Sequence, residues 1–207
     1  VGSKLIKMSI AISRYIYILQ KCTIMEMGIM KVVYLSGSPR KNSNTDAMLR
    51  KCSSKLEGEL IKLSDYNIKF CTSCYACLKT GKCIIEDDMS QIILPKILEA
   101  DAIFVGTPVY FNNVSAQLKA FIDRSWPVRG KLRNKIGASL VVGRKYGHES
   151  ATNAINSFFL KHDMVVANRG VCAMAFEGSS VQEDAEAMDS ISLLCKRVEE
   201  LHGLMRK

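Results

Sequence analysis

Val32-Val33-Tyr34-Leu35-Ser36-Gly37-Ser38-Pro39-Arg40-Lys41-Asn42-Ser43-Asn44-Thr45 is the stretch on which the fold turns. Its apolar start has the length and composition of a buried strand, and Gly37-Ser38-Pro39 breaks that strand into a loop. Ala47, Met48 and Leu49 then open a helix predicted over 45–56, followed by a second strand over 60–63. Further strands are expected over 102–105 and 136–142, and 164–176 reads as one strand or a broken pair. Helices are expected over 87–99, with Pro95 bending it, and over 115–126, 149–162 and 183–204. Strands alternate with helices throughout, which predicts an α/β fold with a parallel sheet, helices on both faces, and a ligand site beyond the carboxyl ends of the strands.

The loop in the opening stretch has the donors that a phosphate asks for. Ser38, Ser43 and Thr45 offer hydroxyls, Asn44 an amide and Arg40 a fixed charge, and the helix that follows adds its unpaired N–H groups. The loop lacks G-x-G-x-x-G and G-x-x-x-x-G-K-[ST], the glycine-rich patterns of dinucleotide and nucleotidase sites. Hydroxyls in place of glycines suit a terminal monophosphate and favour FMN over NAD, FAD or ATP. A helix cap with no ligand is the competing reading.

After the strand over 102–105 comes Gly106-Thr107-Pro108-Val109-Tyr110-Phe111-Asn112-Asn113, with two aromatics at a strand end. Backbone groups around Pro108, Val109 and Asn112 can meet the polar edge of an isoalloxazine, and Tyr110 or Phe111 its face. A tight turn with its aromatics in the core is the alternative. In Arg144-Lys145-Tyr146-Gly147-His148 the glycine permits close approach, and His148 is placed to reach the ring.

Cys71, Cys74, Cys77 and Cys83 form a C-x2-C-x2-C-x5-C run, with Gly81 in the bend before the last. Four thiolates are what a [4Fe–4S] cluster requires. Zinc also takes four ligands, but usually from two separated pairs; zinc and structural cysteines remain as alternatives. Lys79 and Lys82 beside the ligands favour thiolates. Cys22, Cys52, Cys172 and Cys195 lie in apolar or helical patterns and are expected to be small buried hydrophobes. Asp123 and Arg124 read as a helix-terminal structural contact, and Asp87 and Asp88 as favourable charges at a helix start.

With 207 residues, 48% of them hydrophobic, the chain suits one well-packed domain. Its eight cysteines sit in a long, regularly patterned chain, unlike a secreted disulfide scaffold, so a reducing cytoplasm is expected. The net charge of +9 is dispersed, with no basic block or aromatic stripe for nucleic acid, and fits an acidic protein partner or a phosphorylated ligand. Residues 1–29 precede a second natural start, Met30-Lys31, and read as an extension: either an upstream start, or an arm pairing with a neighbouring subunit, with Ile10, Ile12, Ile16 and Ile18 alternating as in a strand. Arg14 interrupts the apolar stretch, so neither a signal peptide nor a membrane span is expected. Residues 30–207 form the domain, with the cysteine loop 71–83 embedded.

G-S-P-R-x-N-S-N-T (37–45), the cysteine run continuing as G-K-C-I-I-E-D-D-M (81–89), T-P-V-Y-F (107–111) and S-A-Q-L-K-A-F-I-D-R (115–124) together resemble the iron–sulfur flavoprotein family. That family lies within the flavodoxin-like NAD(P)H-dependent FMN reductases, and the resemblance runs from Met30 to the carboxyl terminus. It implies a five-stranded parallel sheet in the order 2-1-3-4-5, FMN on the first and third loops, and cluster ligands Cys71, Cys74, Cys77 and Cys83. It further implies homodimers that pair into homotetramers. The chain departs from it in the extension and in Tyr146-Gly147-His148, where relatives often carry a glycine–glutamine pair. The expected activity is FMN- and cluster-dependent electron transfer between a one-electron carrier such as ferredoxin and a two-electron acceptor. An NAD(P)H-dependent FMN or quinone reductase without a functional cluster is the second reading, and a zinc-stabilised nucleic-acid module the third.

Overall fold

A computed structural model describes residues 29–175 and 178–206. Strands β1 (Val32–Ser36), β2 (Gly58–Lys62), β3 (Ala102–Pro108) and β4 (Ile136–Gly143) run parallel in the order β2-β1-β3-β4. The far edge comes in two pieces, β5 (Val165–Val166) and β6 (Val171–Met174), each parallel to β4. This is the expected 2-1-3-4-5 order, with its last strand as the broken pair. The break arises because residues 167–170 stand against only residues 138 and 139 of β4. The slack is taken up at Gly170, whose φ is 101° and whose N–H donates to Asn168 Oδ1 at 2.8 Å.

Both faces are covered, and for this reason β1, β3 and β4 are buried along nearly their whole length and mostly apolar. The helices are α1 (Asn44–Ser53), α2 (Ala76–Thr80), α3 (Leu94–Glu99), α4 (Ala116–Arg124), α5 (His148–Lys161) and α6 (Ala185–Met205). On one face Val33, Leu35, Ile103 and Val105 pack with Ile97 of α3, Leu118 and Phe121 of α4, and Phe158 of α5. The alternate residues Tyr34 and Phe104 face the other way, their ring centroids 4.9 Å apart. There the Tyr34 hydroxyl donates to Leu56 O at 2.6 Å and lies beside Cys52 of α1 and Cys195 of α6.

Several elements differ from expectation. The helix predicted over 87–99 starts as a wider π turn, Met89–Ile93, and becomes α3 only at Leu94. Pro95 follows directly on this π turn, and the wider turn accommodates the N–H that proline lacks. β3 runs on to Pro108 because β4 offers partners through Val142. Cys52 and Cys195 are buried as expected, but Cys172 is exposed, on the outward-facing side of edge strand β6. Cys22 and the segment around Ile10 to Ile18 lie outside the described residues. No helix among the described residues is long and apolar enough to cross a membrane.

Candidate cofactor site at the carboxyl edge of the sheet

Because the strands are parallel, the loops after β1, β2, β3 and β4 all leave the same edge. The first of them is fixed to the third. Gly37 N–H donates to Gly106 O at 2.8 Å, and Ser115 Oγ donates to Gly37 O at 2.5 Å. A Cβ on Gly37 would stand 2.8 Å from Leu118 Cβ, so only glycine fits.

Within this loop the expected phosphate residues divide their work. Ser43 caps α1, its Oγ accepting from Asp46 N–H at 3.0 Å. Asn44 ties down a distant segment: Nδ2 donates to Ser179 O at 3.1 Å and Oδ1 accepts from Val181 N–H at 3.0 Å. The Oγ of Ser38 accepts from Arg40 N–H at 3.4 Å, which leaves its own proton available. An anion here would draw on the hydroxyls of Ser38 and Thr45, on exposed Arg40, and on the first N–H groups of α1, which have no intrahelical partner.

Asp46, in the first turn of α1, would oppose an anion if its charge were uncompensated. Lys62, at the end of β2, meets it at 2.7 Å, and Ser36 Oγ donates to its other oxygen at 2.5 Å. Burial disfavours the carboxylate, but Lys62 and the Ser36 and Ser43 side chains outweigh that and hold its pKa below the usual carboxylate range. Lys62 also donates to Arg40 O, so one ammonium serves both the buried charge and the loop above it.

The loop after β3 is a tight reverse turn, Tyr110 and Asn113 exchanging backbone hydrogen bonds at 2.9 and 3.1 Å. Phe111 and Asn112 occupy its corners at φ of 48° and 61°, a left-handed pair that normally calls for Asn or Gly. The tight turn is there, but its aromatics are not in the core: Tyr110 is exposed and Phe111 fully so. The next loop interlocks with this turn. Gly147 has φ of 83°, and a Cβ on it would stand 2.7 Å from Asn112 Cα. His148 begins α5, and its Nε2 bonds Ala173 O of β6 at 3.0 Å. That bond holds its ring against β4 and β6 and leaves Nδ1 as the nitrogen for any other role.

The cysteine loop follows β2 and carries α2, an element its sequence did not announce. Cys71, Cys74, Cys77 and Cys83 all line one cavity of about 270 Å³, together with Ile84, Ile85, Arg124 and Trp126. Ser73 and Tyr75 are left-handed, at φ of 53° and 59°, and reverse the chain on either side of Cys74. No three His, Cys, Asp or Glu side chains among the described residues are gathered as they would be about a single metal ion. Four thiols around one cavity are the donor set that an extended cluster with four thiolate corners calls for.

Arg124 walls this cavity, and it is not a helix-terminal partner of Asp123, which pairs with Lys119 at 2.6 Å. It forms instead a buried two-pronged pair with Asp87, NH1 to Oδ2 at 2.8 Å and NH2 to Oδ1 at 2.9 Å. NH1 also donates to Lys69 O at 2.6 Å. Burial opposes the Asp87 carboxylate, but Arg124 and the Lys69 and Ser90 N–H groups overcome it and lower its pKa. Arg124, Lys62 and Ser115 were not singled out as site residues from sequence. For Lys62 a signal existed, a lone cation at the carboxyl end of a strand beside a phosphate-type loop.

The sequence pattern of a family described as NADPH-dependent FMN reductase matches residues 30–178. An iron–sulfur flavoprotein of Methanocaldococcus jannaschii is 38% identical over 194 residues, covering 86% of this chain and all 100% of that protein. One from Methanosarcina thermophila is 34% identical over 86% of this chain and 98% of its own length. Among solved structures, RosB with a bound riboflavin-phosphate intermediate superposes with a TM-score of 0.70 at 17% identity, over 86% of this chain and 80% of that one. At that identity the likeness is one of fold.

Proposed function

Since this chain belongs to the NADPH-dependent FMN reductase family, in its iron–sulfur flavoprotein branch, and is thereby an FMN-dependent oxidoreductase, we propose that it also holds a [4Fe–4S] cluster and works in electron transfer. The observation that carries this reading is the common cavity of Cys71, Cys74, Cys77 and Cys83, on a loop leaving the same sheet edge as the phosphate-type and aromatic loops. Bound FMN supplies two-electron chemistry and a cubane one-electron chemistry.

What this chain contributes is binding and placement. Ser38, Arg40 and Thr45 would hold the phosphate, on a cradle shaped by Ser43 and Asn44. Pro108, Val109, Tyr110, Phe111 and Asn112 would border the ring, with Gly147 backing their turn and His148 at its margin. The electron carrier we assign is a small acidic protein such as ferredoxin, in keeping with a net charge of +9. Exposed Phe70, Tyr75, Leu78 and Ile84 on and around the cysteine loop support assembly as a homodimer or homotetramer. A reducing cytoplasm is the compartment we propose.

The family's own description favours a second reading, reduction of FMN or quinones by NAD(P)H without a cluster. Purification without oxygen, followed by assay of iron, acid-labile sulfide, zinc and released flavin, separates the two. About four irons and four sulfides with one flavin per chain is the expected result. Flavin without iron would overturn the cluster assignment and leave the reductase. Comparing the rates of reduction by ferredoxin and by NAD(P)H then identifies the donor.

A further inference from the structure

Arg124 has more hydrogen-bonding capacity than its ion pair uses. Its side chain is 2% exposed, and NH1 and NH2 are taken up by Asp87 and by the backbone carbonyls of Lys69 and Ile85. Its Nε is also buried, yet makes no hydrogen bond. A buried guanidinium N–H without a partner keeps the full cost of its lost hydration, which is larger for a charged group than for a neutral one. Such an atom is normally accounted for by something that binds beside it. Arg124 lines the cavity of the four cysteines, and Cys83, the neighbour of Ile84 and Ile85 in that lining, is the cysteine whose thiol favours the guanidinium's charge.

We infer that Arg124 is a positioning residue for the cluster, donating its Nε–H to the Cys83 sulfur while Asp87 fixes the plane of the guanidinium. The inference rests on the cluster assignment above. Hydrogen bonds to ligand sulfurs and nearby positive charge both stabilise the form with the extra electron, and so raise the reduction potential. No proton moves: the guanidinium stays charged throughout, and one electron passes from the donor, which is oxidised, to the cluster, which is reduced. The bidentate clamp explains why the residue is arginine. Lysine carries its three donors on one nitrogen and cannot grip both Asp87 oxygens in a plane while a separate N–H is aimed at a sulfur.

Two measurements test this. In anaerobically prepared wild-type protein labelled with ¹⁵N-arginine and reduced by dithionite, pulsed EPR should show a ¹⁵N hyperfine coupling to the cluster; a reduced cluster without one overturns the assignment. The second compares two variants in which charge is balanced differently. Asp87→Asn keeps the donor, so the equilibrium constant for one-electron reduction should not fall below that of wild type. Arg124→Met with Asp87→Asn removes the donor without leaving a buried charge unpaired, and that constant should fall about tenfold, equal to about 59 mV for a one-electron couple. A double variant with full iron and sulfide and an unchanged constant sinks the role of Arg124 alone. A wild-type protein without iron sinks the cluster reading with it, and is recognised before any variant is made.

Discussion

Lys62 links a buried charge to the phosphate-type loop through a single ammonium, held between Asp46 and the backbone of Arg40. Its replacement by methionine leaves Asp46 buried without its cation, a loss of about 3 kcal/mol in urea unfolding. Lys62→Met with Asp46→Asn should recover most of that loss, since no charge is then stranded. Asp46 has a lowered pKa in the fold, so the stability it contributes is present above about pH 3.9 and disappears as pH falls through the lowered value. In Gly147→Ala the new methyl would require both a left-handed alanine, costing about 1–2 kcal/mol, and retreat of the Asn112 turn. FMN affinity should drop about tenfold or more, measured by fluorescence titration of the apoprotein, with secondary structure unchanged by circular dichroism. At this scale legibility followed sequence distance. The cysteine run and the hydroxyl loop are local and could be read directly. Arg124 meets Asp87 across 37 positions, and only the packing of α4 beneath the cysteine loop reveals that pair.

Elements announced themselves where periodicity is strong and hid in the short, irregular cysteine loop and the turn that follows it. β1, β3 and β4 are buried along nearly their whole length because both faces are covered, and each was expected within a few residues. Helix α2 was not, since its short span holds two polar residues and a cysteine, and its chain reversals fall on Ser73 and Tyr75 at positive φ, where glycine or asparagine would have been the signal. The π turn before α3 was equally silent, because Pro95 announces a break without saying which turn absorbs it. A further coupling between elements joins the start of α1 to residues 179–181 through both ends of the Asn44 amide. Asn44→Ala releases that segment. The expected result is faster proteolytic cleavage within residues 178–181 and about tenfold weaker FMN binding, with the melting temperature changed by only a few degrees.

Over the whole molecule, the pH dependence of stability near neutrality falls to the buried histidines. His162 is 3% exposed, with Nε2 bonded to Ser125 Oγ at 2.9 Å and Nδ1 unpartnered among the described residues. Burial lowers its pKa, reinforced by Arg129 and Lys161 and opposed by Asp163. Burial likewise lowers that of His202. An unfolded histidine takes up its proton near pH 6.5, before a folded one of this kind does. Stability is therefore full above about 6.5 and declines as pH falls toward the lowered folded values, by at most about 1.4 kcal/mol per pH unit for each residue. Urea unfolding at pH 7.5 and 5.5 should show this decline, and His162→Gln should reduce it. Asp46 and Asp87 titrate below this window and leave it unaffected.

The parallel sheet also has an amino-terminal rim, formed by the turns that lead into β2 and β4, with Lys55, Glu57 and Arg133 exposed there. None of the loops assigned to flavin, phosphate or cysteine chemistry touches that rim. In a chain whose Cys22 and exposed Cys172 are replaced by serine, a cysteine introduced at Glu57 and coupled to a gold electrode would therefore tether the molecules in one orientation, with the cysteine and phosphate-type loops facing away from the metal. Current in such a film would have to cross the thickness of the domain or arrive through a diffusing carrier, which makes the tethered protein a sensor for carriers in solution.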